Sequence, residues 1–208
     1  MAMLTGPEIA RQVLLGGVVI DPFDPARCGS NSYDLTLAPE LLVYAKNYPV
    51  HEACGAAARR RSPWLHEVCA ANDPLDMAAD EPTVPLTIPL AGLTLWPGVL
   101  YLGATVERTF TPHHVPCISG RSSVGRLGLA VHVTAGFGDL FFDGRWTLEL
   151  LAAVPVRVYA GVRVCQLYLT TVEGERQPYA GKYAGQTGPR ASGMWRDFAA
   201  AKANGGAA

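Results

Sequence analysis

"GRSSVGRLGLAVHVTAGFGDLFFDGRWTLEL", residues 120–150, decides how this chain is read. Its first ten residues hold two arginines, two serines and three glycines in an otherwise apolar region. Around them, "GLAVHVTAG" and "RWTLELLAAV" are short runs rich in Val, Leu and Thr, parted by glycine, which is a strand pattern and not a helical one. The same texture extends outward. "TVPLTIPL", "LTLWPGVLYLGATVERTFT", "CISGRSS", "VRVYAG" and "VRVCQLYLTTV" repeat it, with Gly and Pro at the spacing of a sandwich or barrel. The chain reads as mainly all-β.

Upstream, "TGPEIARQVLLGG" predicts a short helix. Thr5 caps it, Pro7 sits in its first turn, Ile9, Val13 and Leu14 form an apolar face, and Gly16-Gly17 end it. "SYDLTLAPELLVYA" predicts a half-buried strand through the alternation Tyr33, Leu35, Leu37. Residues 46–82 break the β pattern and read as an inserted loop with room for a short helix. Their Arg59-Arg60-Arg61 run reads as a solvated face. The end of the chain is Gly- and Ala-rich with isolated Tyr, Lys, Gln and Arg, a tail that is mobile unless a ligand orders it. The expected layout is one domain over 1–198, with the insertion at 46–82 and a flexible end at 199–208.

Composition narrows the functional classes. Charged residues are 17% and the net charge is −1, so no overall field draws nucleic acid or a membrane surface. Any bound anion must be held by a local cluster. The N-terminus does not read as a signal peptide and no apolar run reaches the length of a membrane span. Five scattered cysteines suggest neither a disulfide framework nor a zinc site, and a cytoplasmic protein is expected.

Few polar residues stand out in the β region. Arg121, Ser122, Ser123 and Arg126 suit an anion, because guanidinium forks match phosphate oxygens, hydroxyls donate, and glycines allow close backbone approach. A polar turn with a surface ion pair is the other reading, and the two are evenly matched. Glu149 lies in "RWTLELLAAV". A carboxylate buried there would need a partner and would be tuned toward proton transfer, whereas alternation alone places it outward. Asp139 sits in a Gly-flanked loop, where an aspartate is usually a turn residue. His113 and His114 read as loop residues, and His132 as a structural histidine within a strand. The zinc-deaminase pair H-x-E and P-C-x-x-C is absent, as are a Walker loop and a G-x-S-x-G elbow.

Taken together, these blocks resemble the dCTP deaminase family, the trimeric β-barrel relatives of dUTP diphosphatase. Residues 120–150 resemble its G-[RK]-S-S-x-x-R-L-G-L, H-x-T-A-x-x-x-D and T/V-L-E blocks. "IDPFDP" and "NSYDLTL" resemble its opening segment, and "QPYAGKYAGQTGP" its nucleotide-closing segment. The likeness covers residues 3–44 and 83–198 in the right order.

The resemblance implies a dUTPase-like distorted β-barrel with a short N-terminal helix and a closing C-terminal tail, assembled as a homotrimer with active sites between subunits. It implies dCTP or dUTP as ligand. Glu149 would be the catalytic carboxylate, assisted by Ser122 and Arg126. Arg121, Ser122, Ser123 and Arg126 would hold the triphosphate, Asp139 the deoxyribose, and Thr147 and Leu148 the base. Tyr179, Lys182 and Gln186 would close over the phosphates. It implies no protein-bound metal and no zinc, with Mg²⁺ riding on the triphosphate. "TAGF", with Ala135 and Gly136, resembles members that also cleave the triphosphate to dUMP; deaminase-only members often carry histidine where Gly136 stands. Thr36 replaces a common arginine, removing an inter-subunit ion pair. A dUTP diphosphatase without deaminase activity and a non-catalytic nucleotide-binding regulator of the same fold are the competing readings. The unbroken R-S-S-x-x-R and L-E set stands against both.

Overall fold

The computed structural model describes residues 2–59 and 74–203. Helix α1, Gly6–Leu14, starts where Thr5 accepts the Glu8 N–H, and the chain turns away at Gly16, whose φ is +75°. Ile9 is wholly buried, but Leu14 is 83% exposed and does not belong to the apolar face expected of it.

Ten strands follow in the order β1 Val19–Asp21, β2 Tyr33–Tyr44, β3 Thr83–Thr87, β4 Leu93–Leu95, β5 Leu100–Phe110, β6 His114–Gly120, β7 Leu129–Ala130, β8 Asp143–Ala152, β9 Val156–Val158 and β10 Arg163–Thr171. One sheet runs β6-β10-β2-β5-β8-β7, with β1 added on β5 and β3 on β2; β4 and β9 form a separate ribbon. The sheet nearly closes on itself. Past β7 the chain reaches β6, where Ile118 N–H donates to Gly136 O at 2.5 Å and Gly138 N–H to Pro116 O at 2.7 Å. The mainly all-β barrel-like expectation holds.

Strand β2 is not half-buried. Its first half pairs with β10 and its second half with β3, while β5 pairs with it from Leu37 to Val43, and Asp34 and Thr36 are buried along with Tyr33, Leu35 and Leu37. The polar pair is accommodated by partners. Glu107, on β5 and fully buried, accepts from Thr36 N (2.9 Å) and Thr36 Oγ1 (2.7 Å) and pairs with Arg27 at 2.5 Å. Thr36 therefore serves inside its own chain.

"GLAVHVTAG" yields only the two residues of β7. Val131 O still accepts the Glu149 backbone N–H at 3.0 Å, but Val133 N–H goes to the Glu149 carboxylate instead of a ladder carbonyl. The strand ends because a side chain takes the next hydrogen bond.

The insertion contributes α2, Tyr48–Arg59, which buries Val50, His51 and Cys54 against the barrel. Cys54 is disulfide-bonded, although the cysteine count points to no framework. Arg60, Arg61 and Cys69 lie outside the described residues. A one-turn helix α3, Ser122–Gly125, follows β6, and α4, Trp195–Ala203, closes the described chain. Residues 199–203, expected as part of a flexible end, are thus helical, and 204–208 lie outside the described residues. No helix among the described residues is long and apolar enough to cross a membrane.

His51 docks α2 on β5: its Nδ1 lies 2.8 Å from the Tyr101 hydroxyl, and burial lowers its pKa. The fold favours neutral His51, so its contribution is complete above the unfolded value near 6.5 and is lost as pH falls toward the depressed folded value. The thermal midpoint should fall between pH 7 and 5.5, and less steeply in His51→Gln. Equal slopes in the two proteins would remove His51 from the pH response.

Candidate active site

Strand β8 alternates strictly. Trp146, Leu148 and Leu150 point into the core, and Arg145, Thr147 and Glu149 stand half-buried on the opposite face. That outer face is the floor of a cavity of about 540 Å³, within the size range of small-molecule sites.

Two distant stretches of chain build its walls. The first is the segment after β7, which passes over Glu149. Val133 N–H donates to Glu149 Oε2 at 2.7 Å, and Ala135, Phe137 and Asp139 line the cavity beyond it. One carboxylate oxygen is thereby fixed and the other is left for chemistry. The second is the C-terminal segment, which lies along β8. Gln186 Nε2 donates to Arg145 O (2.5 Å) and Thr147 Oγ1 (3.3 Å), and Arg190 N–H also donates to Thr147 Oγ1 at 3.1 Å. Ser192 N–H donates to the Tyr44 hydroxyl at 3.0 Å. Tail residues expected to be mobile without ligand are folded onto the barrel by backbone hydrogen bonds.

One side is aromatic. Phe142 meets Trp146 at 5.6 Å between ring centroids and Tyr179 at 5.9 Å. Trp146 is anchored by Nε1–H donating to Thr109 Oγ1 at 2.8 Å. Flat apolar faces beside hydroxyl and carboxylate groups suit a heteroaromatic base with a polar edge. Burial raises the Tyr44 pKa, with the Tyr183 hydroxyl and the Glu149 carboxylate adding to the rise, so Tyr44 stays protonated at the cavity wall.

Six of the residues singled out from sequence meet here: Ala135, Asp139, Thr147, Glu149, Tyr179 and Gln186. The others do not line this cavity. The Leu148 side chain is 1% exposed and belongs to the core. Lys182 pairs with Asp197 of α4 on the outer side of the tail segment. Gly136 serves the barrel closure: a Cβ there would meet Ile118 O at 3.1 Å and the His132 ring at 3.2 Å. The room it spares lies there and not beside the cavity contents. His132 itself, outside any strand, carries a buried Nδ1 without a hydrogen-bond partner among the described residues.

The serine-arginine cluster stands apart from the cavity on α3. Ser122, Ser123 and Arg126 are exposed, and Arg126 forms no ion pair among the described residues. Arg121 is engaged elsewhere, 3.2 Å from Asp34 and donating to Arg163 O at 3.3 Å. Arg121 thus fits the reading of a polar turn with a surface ion pair, while Ser122, Ser123 and Arg126 are exposed without an acid partner among the described residues.

Tyr44, Phe142, Tyr183, Arg190 and Ser192 line the cavity without having been singled out from sequence. Tyr44 and Phe142 carry no local signal, being aromatic residues in apolar runs. Arg190 could have been found, as a second cation after Lys182 in a Gly-rich tail. Among the described residues no three His, Cys, Asp or Glu side chains gather in a way that could hold a metal ion.

Residues 3–172 match the family model described as dCTP deaminase-like. A protein from Clostridium beijerinckii named "dCTP deaminase, dUMP-forming" is 42% identical over 197 residues, which are 94% of this chain and 98% of that one. One of the same name from Cytophaga hutchinsonii is 43% identical, also over 94% of this chain and 98% of its own. The crystal structure of the 2'-deoxycytidine 5'-triphosphate deaminase from Agrobacterium tumefaciens superposes with a TM-score of 0.55 at 14% identity. That match covers 82% of this chain and 48% of the solved one, so this chain spans about half its length and the likeness speaks to the fold alone.

The tail position can be tested at Gly144. A Cβ there would lie 2.7 Å from the Gln186 carbonyl oxygen, backbone that must move away. In Gly144→Ala, amide exchange across residues 179–193 should quicken at least about tenfold while β2, β5 and β8 keep their protection. Unchanged protection of the tail would refute its docking along β8.

Proposed function

The chain belongs to the dCTP deaminase-like family, and we propose that it removes the amino group of dCTP and carries the product on to dUMP and pyrophosphate. The dUMP-forming relatives matched along 94% of the chain support both steps. The observation that carries the reading is Glu149: a carboxylate on a cavity floor, with one oxygen held by the Val133 N–H and the other free.

In the first step water attacks C4 of the cytosine. Glu149 takes a proton from that water as the C–O bond forms, then delivers one to the exocyclic nitrogen as the C–N bond breaks and ammonia leaves. Fixing Oε2 through a backbone donor sets the direction of Oε1 without neutralising the charge that makes it a base. Thr147 and the aromatic side position the base, and Asp139 the deoxyribose. The second step adds water across the triphosphate and releases pyrophosphate. Ala135 and Gly136 belong to the segment that distinguishes this outcome.

The triphosphate needs more positive charge than the Arg190 guanidinium that lines this cavity. Ser122 and Ser123 on α3 and Arg126 at its end, all exposed, supply hydroxyl donors and a guanidinium to the cavity of a neighbouring copy in a homotrimer, with Ser122 and Arg126 also stabilising the tetrahedral intermediate. Arg121 acts in this group by orienting the turn through Asp34. Tyr179 and Gln186 close the tail over the phosphates, and Lys182 joins them by leaving Asp197. Mg²⁺ would be held by the nucleotide, with no protein ligand, and would offset the charge of the triphosphate. The enzyme works in the cytoplasm on a free nucleotide.

Glu149→Gln should lower deamination about a thousandfold while dCTP still binds; retained turnover would remove Glu149 from the chemistry. Refolding Glu149→Gln together with Arg126→Ala, each inactive alone, should restore about a quarter of wild-type activity, the random fraction of intact shared sites. No recovery would contradict sites built from two chains.

A further inference from the structure

A separate feature of the surface lies away from the active-site cavity, between α2 and the β4–β9 ribbon. It is a cleft of about 420 Å³. One face of α2, carrying His51, Glu52, Gly55, Ala58 and Arg59, forms one wall. Those positions follow helical spacing and share a side. The opposite wall is the outward face of the ribbon. Leu95, Val156 and Val158 are buried toward the core, while Thr94 and Arg157 form a cross-strand pair facing the cleft.

The cleft is open because its helix wall is built from small residues at its centre. A side chain at Gly55 would meet only the Arg59 guanidinium, at 3.6 Å, so nothing from the barrel fills that space. Its chemistry is unbalanced in charge. Arg59 and Arg157 border it, and neither makes an ion pair or side-chain hydrogen bond with any described residue. The acid present, Glu52, is engaged by the Tyr48 hydroxyl at 2.9 Å. His51 points its Nδ1 at Tyr101 and is kept neutral by burial. Leu93, Thr94 and Trp96 complete the lining among the described residues.

We infer that this cleft is a second binding site, for a phosphate-bearing small molecule held between Arg59 and Arg157. Two guanidinium groups on opposite walls, one hydroxyl donor and an indole beside them are the elements that recognise a phosphorylated ligand. The site is built from the inserted helix, so it is separate from the cavity over Glu149. It is nevertheless mechanically close to it. His51 bonds Tyr101 of β5, Tyr101 pairs with Leu150 of β8, and the next rung pairs Leu102 with Glu149. An occupant that tightens α2 against the ribbon would act on the strand pair that carries the catalytic carboxylate, which suits an effector site.

The test is equilibrium dialysis of the full chain with labelled inorganic pyrophosphate, counting sites per chain. Wild type should bind two. The double variant Arg59→Ala/Arg157→Ala should lose one site, or weaken it at least about tenfold, with the KM for dCTP unchanged. The charge-reversed Arg157→Glu, which keeps an exposed polar side chain on the ribbon, should do the same. Ser122→Ala/Arg126→Ala should lose the other site and keep this one, whether or not the deaminase reading is right. A single site in wild type that the cleft variants keep, or two sites that survive both cleft variants, would overturn the inference. So would cleft variants that lose both sites together.

Discussion

The fully buried carboxylate of Glu107 is the constraint on which the rest of this barrel rests. An ionised acid in a protein core costs several kcal/mol unless its lone pairs are filled, and here they are filled by Thr36 N–H, the Thr36 hydroxyl and Arg27. Hydrogen bonds to a charged group contribute about 1.5–3 kcal/mol each, so this one side chain fastens the N-terminal turn, β2 and β5 together. It can point inward because β5 bulges. Between the Ala104–Thr147 and Arg108–Arg145 pairs, β5 advances two more residues than β8. Thr105 absorbs the irregularity, its Oγ1 donating to Glu107 O and accepting from Trp146 N–H.

The bulge has consequences at the cavity. It fixes the register of β8 so that Trp146 turns inward onto Thr109 and Thr147 and Glu149 turn outward together. It also leaves Thr105 O for the Arg145 side chain at 2.5 Å, and Arg145 in turn receives the tail through Gln186 O and Thr187 O. The floor, the fixed carboxylate and the docked tail are thus three results of one strand pairing. The polar turn on α3 belongs to a different end of the molecule, where Asp34 gathers Arg121, Arg163 and Gln166. Its exposed serines and Arg126 stand apart from the cavity over Glu149.

Much of this was written in local sequence. The alternation of Trp146, Leu148 and Leu150 placed Glu149 on the outer face of its strand, and that is where it stands. What alternation could not convey is that the outer face is covered, because the covering segments come from residues 133–139 and 179–192, before and well after the strand. Tyr44 and Arg190 join the cavity by the same long-range route. The strand expected through His132 ended early because a side chain, and not a ladder carbonyl, received the Val133 N–H, a choice made by tertiary geometry. Thr36 is similar: by family likeness it marks a missing arginine, yet it is the inner partner of Glu107. Helix α2 was legible only as a break in the β pattern, since its cleft depends on a ribbon whose strands, Leu93–Leu95 and Val156–Val158, both lie far along the chain.

The most direct measurement is a time course of nucleotide products from dCTP and Mg²⁺, separated by ion exchange. The account predicts dUMP and pyrophosphate rising together from the start, with little free dUTP. Accumulating dUTP would contradict the two-step site, and unchanged dCTP with consumption of supplied dUTP would contradict Glu149 as a deaminating base.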